Sequence, residues 1–200
     1  MAGPDLWVEK WRPKRIADYV FKNEQISDQV KEWVENPDQK NIPFPHLLLS
    51  GSPGVGKTTL AKVLINELGV DKFDVLELNG SRETGVDNLR EKVIGFCGTY
   101  PNGEYKVVLI DEADYLSQNA QACLRNEMER FNESVRFILT CNLPHKIIPA
   151  LHSRMQGFHF DALDMESFIM RIIGILGDEN VSFNMDDLDP FINNSYPDLR

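Results

Sequence analysis

The sequence predicts an α/β fold, a five-stranded parallel sheet flanked by helices and followed by a small all-helical unit. Three observations carry that expectation. From His46 to Phe160, short apolar runs alternate with longer stretches whose apolar residues recur at helical spacing. One run, KVVLID (Lys106 to Asp111), is apolar almost throughout, as a strand covered on both faces should be. From Asp161 onward the strand signals stop and the charge shifts: this last part holds 2 of the 21 basic and 9 of the 31 acidic residues. A domain boundary is therefore expected there, with residues 1–161 forming the α/β domain and residues 162–200 a small helical lid.

Each element follows from its local pattern. HLLLS (His46 to Ser50) is a short apolar strand running into a glycine-rich loop, and Thr58 to Leu68 reads as a helix with Leu60, Ala61, Leu64, Ile65 and Leu68 inward. VLELN (Val75 to Asn79) is the second strand, and Asp87 to Phe96 is a helix with Leu89, Val93 and Phe96 along one side. KVVLID is the third strand. Ser117 to Phe131 follows as a helix, with Ser117 suited to cap its N-terminus. VRFILTCN (Val135 to Asn142) and GFHF (Gly157 to Phe160) complete the strands. In the acidic part, Asp164 can cap a helix running through Leu176, and a Pro- and Asp-rich segment comes after it.

Composition narrows the function. With 42% hydrophobic and 26% charged residues, the chain is suited to bury a core. No apolar stretch has membrane-helix length, and MAGPDLWVEKWRPK lacks the apolar run of a secretory signal, so no membrane partner is expected. Cys97, Cys123 and Cys141 are odd in number and widely spaced, which fits a reducing intracellular compartment better than disulfides or structural zinc. That compartment is cytoplasm or nucleus, or host cytoplasm for a phage-encoded chain. His145, His152 and His159 recur every seven residues without a thiol or carboxylate at ligand spacing, so they read as unrelated. A net charge of −10 argues against general coating of DNA and leaves any contact to a few basic side chains and helix N-termini.

The most specific local signal is Gly51-Ser-Pro-Gly-Val-Gly-Lys-Thr58, which fits G-x-x-x-x-G-K-[ST] between a strand and a helix. Ser52, Pro53, Gly54, Val55, Gly56 and Thr59 would place their backbone around phosphate oxygens, where the positive end of the next helix also points. Lys57 would reach the β- and γ-phosphates of ATP, and the Thr58 hydroxyl would ligate Mg²⁺. Asp111 and Glu112 end the third strand; behind a phosphate loop, the first suits Mg²⁺ and the second suits an attacking water. Asn142 ends the fourth strand, expected beside the phosphate-loop strand. Its amide fits either a γ-phosphate or water contact, or a cap on the turn before Pro144.

Together, the phosphate loop, IDEAD and TCN resemble the AAA+ P-loop ATPases. Four more stretches resemble the clamp-loader members, replication factor C small subunits and their T-even phage counterparts. These are WVEKWRPKRIADYV from Trp7, NGSRETGVDNLREKV from Asn79, SQNAQACLRNEMERF from Ser117 and LHSRMQGFHF from Leu151. The resemblance spans nearly the whole chain. It implies an ATPase subunit that uses ATP binding and hydrolysis to open a ring-shaped sliding clamp and load it on primer–template DNA, in company with other clamp-loader subunits. Arg154 matches the arginine finger that enters a neighbour's ATP site, with Met155 where the family has cysteine. Asn142 matches the first sensor. Arg200 matches the second, with Pro197 in place of glycine. Trp11, Arg12, Pro13 and Val20 match the segment on the adenine side, where Trp7 and Trp11 also suit plain packing.

The resemblance further implies that Gln121 and Arg125, four apart on one helix face, connect neighbouring ATP sites; an ordinary exposed polar face is the alternative. Its DNA contacts map to Arg82, Thr84, Arg90, Ser117, Gln118 and Asn119, although Thr84 stands where arginine is common and Arg82 where an acid is. The family's helical collar has no counterpart in these 200 residues, so either they are part of a longer chain or assembly relies on something else. Two rivals remain at this point. One is another AAA+ motor, a branch-migration helicase or an initiator, for which pore-loop aromatics or a DNA-binding appendage would be needed. The other is a scaffold subunit that donates an arginine finger without hydrolysing ATP, against which the intact Lys57, Thr58, Asp111 and Glu112 set argues.

Overall fold

A computed structural model describes residues 6–21, 23–35, 44–82, 85–160 and 165–196. In chain order the elements are α1 (Trp7–Lys10), α2 (Glu24–Glu35), β1 (Leu47–Gly51), α3 (Lys57–Glu67), β2 (Val75–Asn79), α4 (Val86–Cys97) and β3 (Lys106–Asp111). They continue with α5 (Gln118–Arg130), β4 (Val135–Cys141), α6 (Pro149–His152), β5 (Gln156–Phe160), α7 (Met165–Asp178) and α8 (Met185–Ser195). The five strands form one sheet in the order β2-β3-β4-β1-β5, and every pairing is parallel. The expected fold class holds, and β4 does lie beside the phosphate-loop strand.

Strand alternation builds two cores from one sheet, because successive side chains point to opposite faces. Leu47, Leu49, Val107, Leu109 and Ile138 face Ile26, Val30 and Trp33 of α2 and Leu60, Ala61 and Leu64 of α3. Leu48, Val108, Ile110, Phe137 and Leu139 face Leu89 and Val93 of α4 and Leu124 and Met128 of α5. Burial on both sides explains why KVVLID lacks polar alternation. Its lysine, Lys106, is buried too, donating from Nζ to the Phe96 carbonyl at 2.8 Å and lying 4.6 Å from the Phe96 ring centroid.

Besides the short α1 and α6, two longer helices lie outside the sequence expectation. Helix α2 buries Ile26, Val30 and Trp33 at helical spacing, and Asn23 caps it by accepting from the Gln25 N–H at 2.9 Å. Helix α8 runs through the Pro- and Asp-rich segment with Pro190 inside it. Proline there removes one backbone donor, yet Leu188 and Ile192 pack against Phe168 of α7. Ser117 is the expected N-cap of α5, accepting from the Ala120 N–H at 3.2 Å. No helix among the described residues is long and apolar enough to cross a membrane.

Candidate nucleotide site

Parallel topology brings the C-terminal ends of all five strands to one edge, where the loops leading into α3, α4 and α5 also lie. The phosphate loop leaves β1 there. Gly56 ends it at φ 91°, a left-handed conformation that side chains disfavour, and a Cβ on it would stand 3.0 Å from the Tyr19 hydroxyl. Directly after, Lys57 is buried and turns back along the loop. Its Nζ donates to the carbonyls of Gly51 at 2.8 Å and Ser52 at 2.7 Å, and to Asn142 Oδ1 at 2.9 Å. The ammonium is thus held at the loop mouth by three oxygens.

The ends of β3 and β4 are braced against each other. Thr58 Oγ1 donates to Asp111 Oδ1 at 2.7 Å, and Thr140 Oγ1 donates to the same oxygen. The Thr140 hydroxyl also accepts from the Glu112 N–H at 3.1 Å. Glu112 takes φ 56°, one of two non-glycine residues with positive φ among those described. Backbone strain of this kind persists only where surrounding structure over-determines it. Gly80 contributes by closeness: a Cβ there would fall 2.4 Å from the Glu112 carbonyl oxygen. Gly80 and Thr140 are therefore part of the site although sequence motifs singled out neither. Burial, with the Asp114 charge adding to it and the Lys57 charge opposing it, pushes the neighbouring Cys141 thiol up to about 11, so this thiol stays protonated at neutral pH.

Asp111 and Thr58 fit a magnesium ion by donor chemistry. A carboxylate and a hydroxyl oxygen already meet at 2.7 Å, and hard oxygen ligands suit Mg²⁺. No group of three or more His, Cys, Asp or Glu side chains suited to another metal occurs among the described residues. Beside the loop a cavity of about 570 Å³ is lined by Tyr19, Val20, Val55, His159 and Phe160, among others. Its size suits a small ligand such as a nucleoside.

Of the segment expected on the adenine side, Val20 lines that cavity together with the loop residue Val55, whereas Trp11, Arg12 and Pro13 do not. Trp11 instead faces the helical pair: its indole N–H donates to Glu179 Oε1 at 2.6 Å, and its carbonyl accepts from Arg171 at 3.1 Å. Lys10 pairs with the same Glu179 oxygen at 2.6 Å. Gln121 also departs from one expectation. It is 1% exposed, so the exposed-face alternative fails for it. Its Nε2 donates to the carbonyls of Leu116 at 3.1 Å and Lys146 at 3.0 Å, and its Oε1 accepts from the Ile148 N–H at 2.8 Å. Arg125 shares that face but is half-buried and donates to Asn126 Oδ1 at 2.7 Å.

Arg154 cannot serve its own phosphate loop. It precedes β5, whose first residue Gln156 is level with Leu47 at the start of β1, while Phe160 is level with Gly51 at the loop. A strand of this length, roughly 16 Å, separates the two. The Arg154 side chain lies on the surface, with Nε donating to Glu129 Oε1 at 2.6 Å. Arg82, Arg90, Ser117, Gln118 and Asn119 are exposed near the starts of α4 and α5. Thr84 and Arg200 lie outside the described residues.

Residues 47–160 match the family described as the ATPase family associated with various cellular activities. The chain belongs to this AAA family. Nucleotide binding follows from that membership. The AAA chain is similar to the replication factor C small subunit of Methanococcus vannielii, 40% identical over 198 residues, which are 97% of this chain and 61% of the relative. The replication factor C small subunit of Saccharolobus solfataricus is 41% identical over 199 residues, 98% of this chain and 58% of the relative. The chain thus spans about three fifths of the length of the curated relatives it matches. Among solved structures, the Thermotoga maritima RuvB Holliday junction branch migration motor superposes with a TM-score of 0.72 at 20% identity, over 87% of this chain and 56% of that one. At that identity the likeness shows the fold alone.

Proposed function

We propose that this chain is the ATPase part of a clamp-loader subunit, working with other subunits to open a ring-shaped clamp and place it on primer–template DNA. The observation that carries the chemical part is the single cluster formed by Lys57, Thr58, Asp111 and Asn142 at the loop mouth. The similarity to replication factor C small subunits over nearly the whole chain supports the biological part.

In this reading residues 1–161 bind ATP and residues 162–200 form its lid. Val20 and Val55 cover the base, while backbone N–H groups from Ser52 to Thr59 and the Lys57 ammonium hold the phosphates. Thr58 and Asp111 hold Mg²⁺, which supplies charge neutralisation on the β- and γ-phosphates. Glu112 orients a water whose oxygen attacks the γ-phosphorus as the bond to the β–γ bridging oxygen breaks, giving ADP and phosphate. Asn142 steadies the γ-phosphate or that water. Arg200 serves as the second sensor of the phosphates.

Arg154 lies at the far edge of its own sheet, so it acts on the ATP of a neighbouring subunit, offsetting charge on the transferring phosphoryl group. Gln121 ties α5 to the segment before α6, the route between a subunit's own site and its Arg154; Arg125 extends that face. Arg82, Thr84, Arg90, Ser117, Gln118 and Asn119 supply phosphate-backbone contacts for DNA from the starts of α4 and α5.

Steady-state ATPase of the full-length assembly, with and without clamp and primer–template DNA, tests this. Stimulation requiring both ligands and lost in Arg154→Ala is expected. A rate indifferent to both would overturn the clamp-loader reading and leave an AAA ATPase of another kind.

A further inference from the structure

Asn142 stands just beyond the sheet. The β1–β4 ladder ends with Ser50 opposite Cys141, so no strand pairing holds the backbone that carries the Asn142 amide. Packing does not hold it from the far side either, since the next side chain, Leu143, is 41% exposed. The Leu143 carbonyl accepts from the Lys146 N–H at 3.0 Å in the turn that follows, and the tie back to the β3 end is a carboxylate. Asp114, in the turn after β3, accepts from the Leu143 N–H through Oδ2 at 3.1 Å. Asp114 is 5% exposed, and its Oδ1 has no hydrogen-bond partner among the described residues. Burying a carboxylate with half its acceptor capacity unused is costly, and a neutral side chain could fill the same space. A charged acceptor grips an N–H about twice as strongly as a neutral one.

We infer that Asp114 is a positioning residue for the reaction, fixing Asn142 through the Leu143 N–H. Upstream, Thr140 is tied to Asp111 and to the Glu112 N–H. Downstream, Asp114 ties Leu143. With both flanks pinned to the β3 end, the Asn142 amide is left only its side-chain torsions, and its Oδ1 meets Lys57 Nζ at 2.9 Å. The same turn therefore sets the acids after β3 and the amide after β4 in one frame. This rests on the proposed role of Asn142 in ATP hydrolysis.

The test is a double-mutant cycle on the full-length assembly, reading kcat, ATP dissociation constant and melting temperature for Asp114→Ala, Asp114→Asn, Asn142→Ala and Asp114→Ala with Asn142→Ala. We expect Asp114→Ala to lower kcat about 10-fold or more while ATP affinity stays within about 3-fold, with Asp114→Asn, a weaker neutral acceptor, recovering only part of kcat. In the Asn142→Ala background, Asp114→Ala should cost under about 2-fold. Equal costs in both backgrounds, or a kcat unmoved by Asp114→Ala, overturn the inference and leave the ATPase reading standing. Unchanged turnover in Asn142→Ala instead removes Asn142 from the proposed function and this inference with it. Should Asp114→Ala not fold, hydrogen exchange of the Leu143 amide in the unaltered protein decides. Protection of about 10-fold or more over an open loop is expected, and open-loop exchange overturns it.

Discussion

The sheet domain and the helical pair of α7 and α8 are held by different means. Around the sheet, two apolar clusters press on both faces, and side chains such as Val107, Val108, Ile110 and Phe137 are fully buried. The helical pair has a cluster of three buried residues, Phe168, Leu188 and Ile192, with Tyr196 set edge-on to Phe168 at 5.5 Å. Polar ties join it to the N-terminal segment: Lys10 and Trp11 on Glu179, and Arg171 on the Trp11 carbonyl. Dense packing under the phosphate loop keeps the charged cluster in register. A lightly packed unit on polar ties can shift at little cost, as a lid must.

Equal deletions in the two regions should give the largest contrast. Phe137→Ala should remove about 3–5 kcal/mol from global stability in denaturant unfolding. Phe168→Ala should leave the main transition close to its place and appear as faster amide exchange confined to α7 and α8. A global loss of the same size from both would break the distinction. Next in size, Glu112→Gln should cut turnover about 100-fold or more with ATP binding retained, because it alters chemistry within a frame that stays intact. Loss of nucleotide binding in that variant would show the frame to be softer than its packing implies.

The polar ties offer the smallest and most specific effect. Hydrogen bonds from Lys10 and from Trp11 hold the Glu179 carboxyl below its usual range. A carboxyl lowered on folding stabilises the attached state above its free pKa, near 4.5, and loses that contribution as pH falls through its lower folded value. With Trp7 and Trp33 replaced by phenylalanine, Trp11 fluorescence should report loosening of the helical pair as the pH falls through the lowered range of the Glu179 carboxyl. Glu179→Gln should abolish that titration, and an unchanged titration would mean that another group attaches the pair.

Much of the sheet was legible because each strand and helix declares itself over a few neighbouring residues. The P-loop, the double acid after β3 and the Ser117 cap are of this kind. Helix α8 was not, because Pro190 and its surrounding acids carry local signals against a helix that burial of Leu188 and Ile192 outweighs. Helix α2 shows the opposite: its Ile26, Val30 and Trp33 spacing is plain once its burial is known.

By itself, then, the sequence determined the phosphate loop, the strand–helix alternation and the charge break at Asp161, since these depend on residues within a turn or two of each other. Tertiary structure alone decided which remote groups meet. Asn142 reaches Lys57 across 85 residues, Trp11 reaches Glu179 across 168, and Gln121 turns from an apparent surface residue into a buried brace. Strand order settled the first of those meetings, and that of Asp114 with Leu143. The reason is physical: local propensity and periodicity act over a few residues, whereas strand order follows from how two apolar faces are best covered by the whole chain.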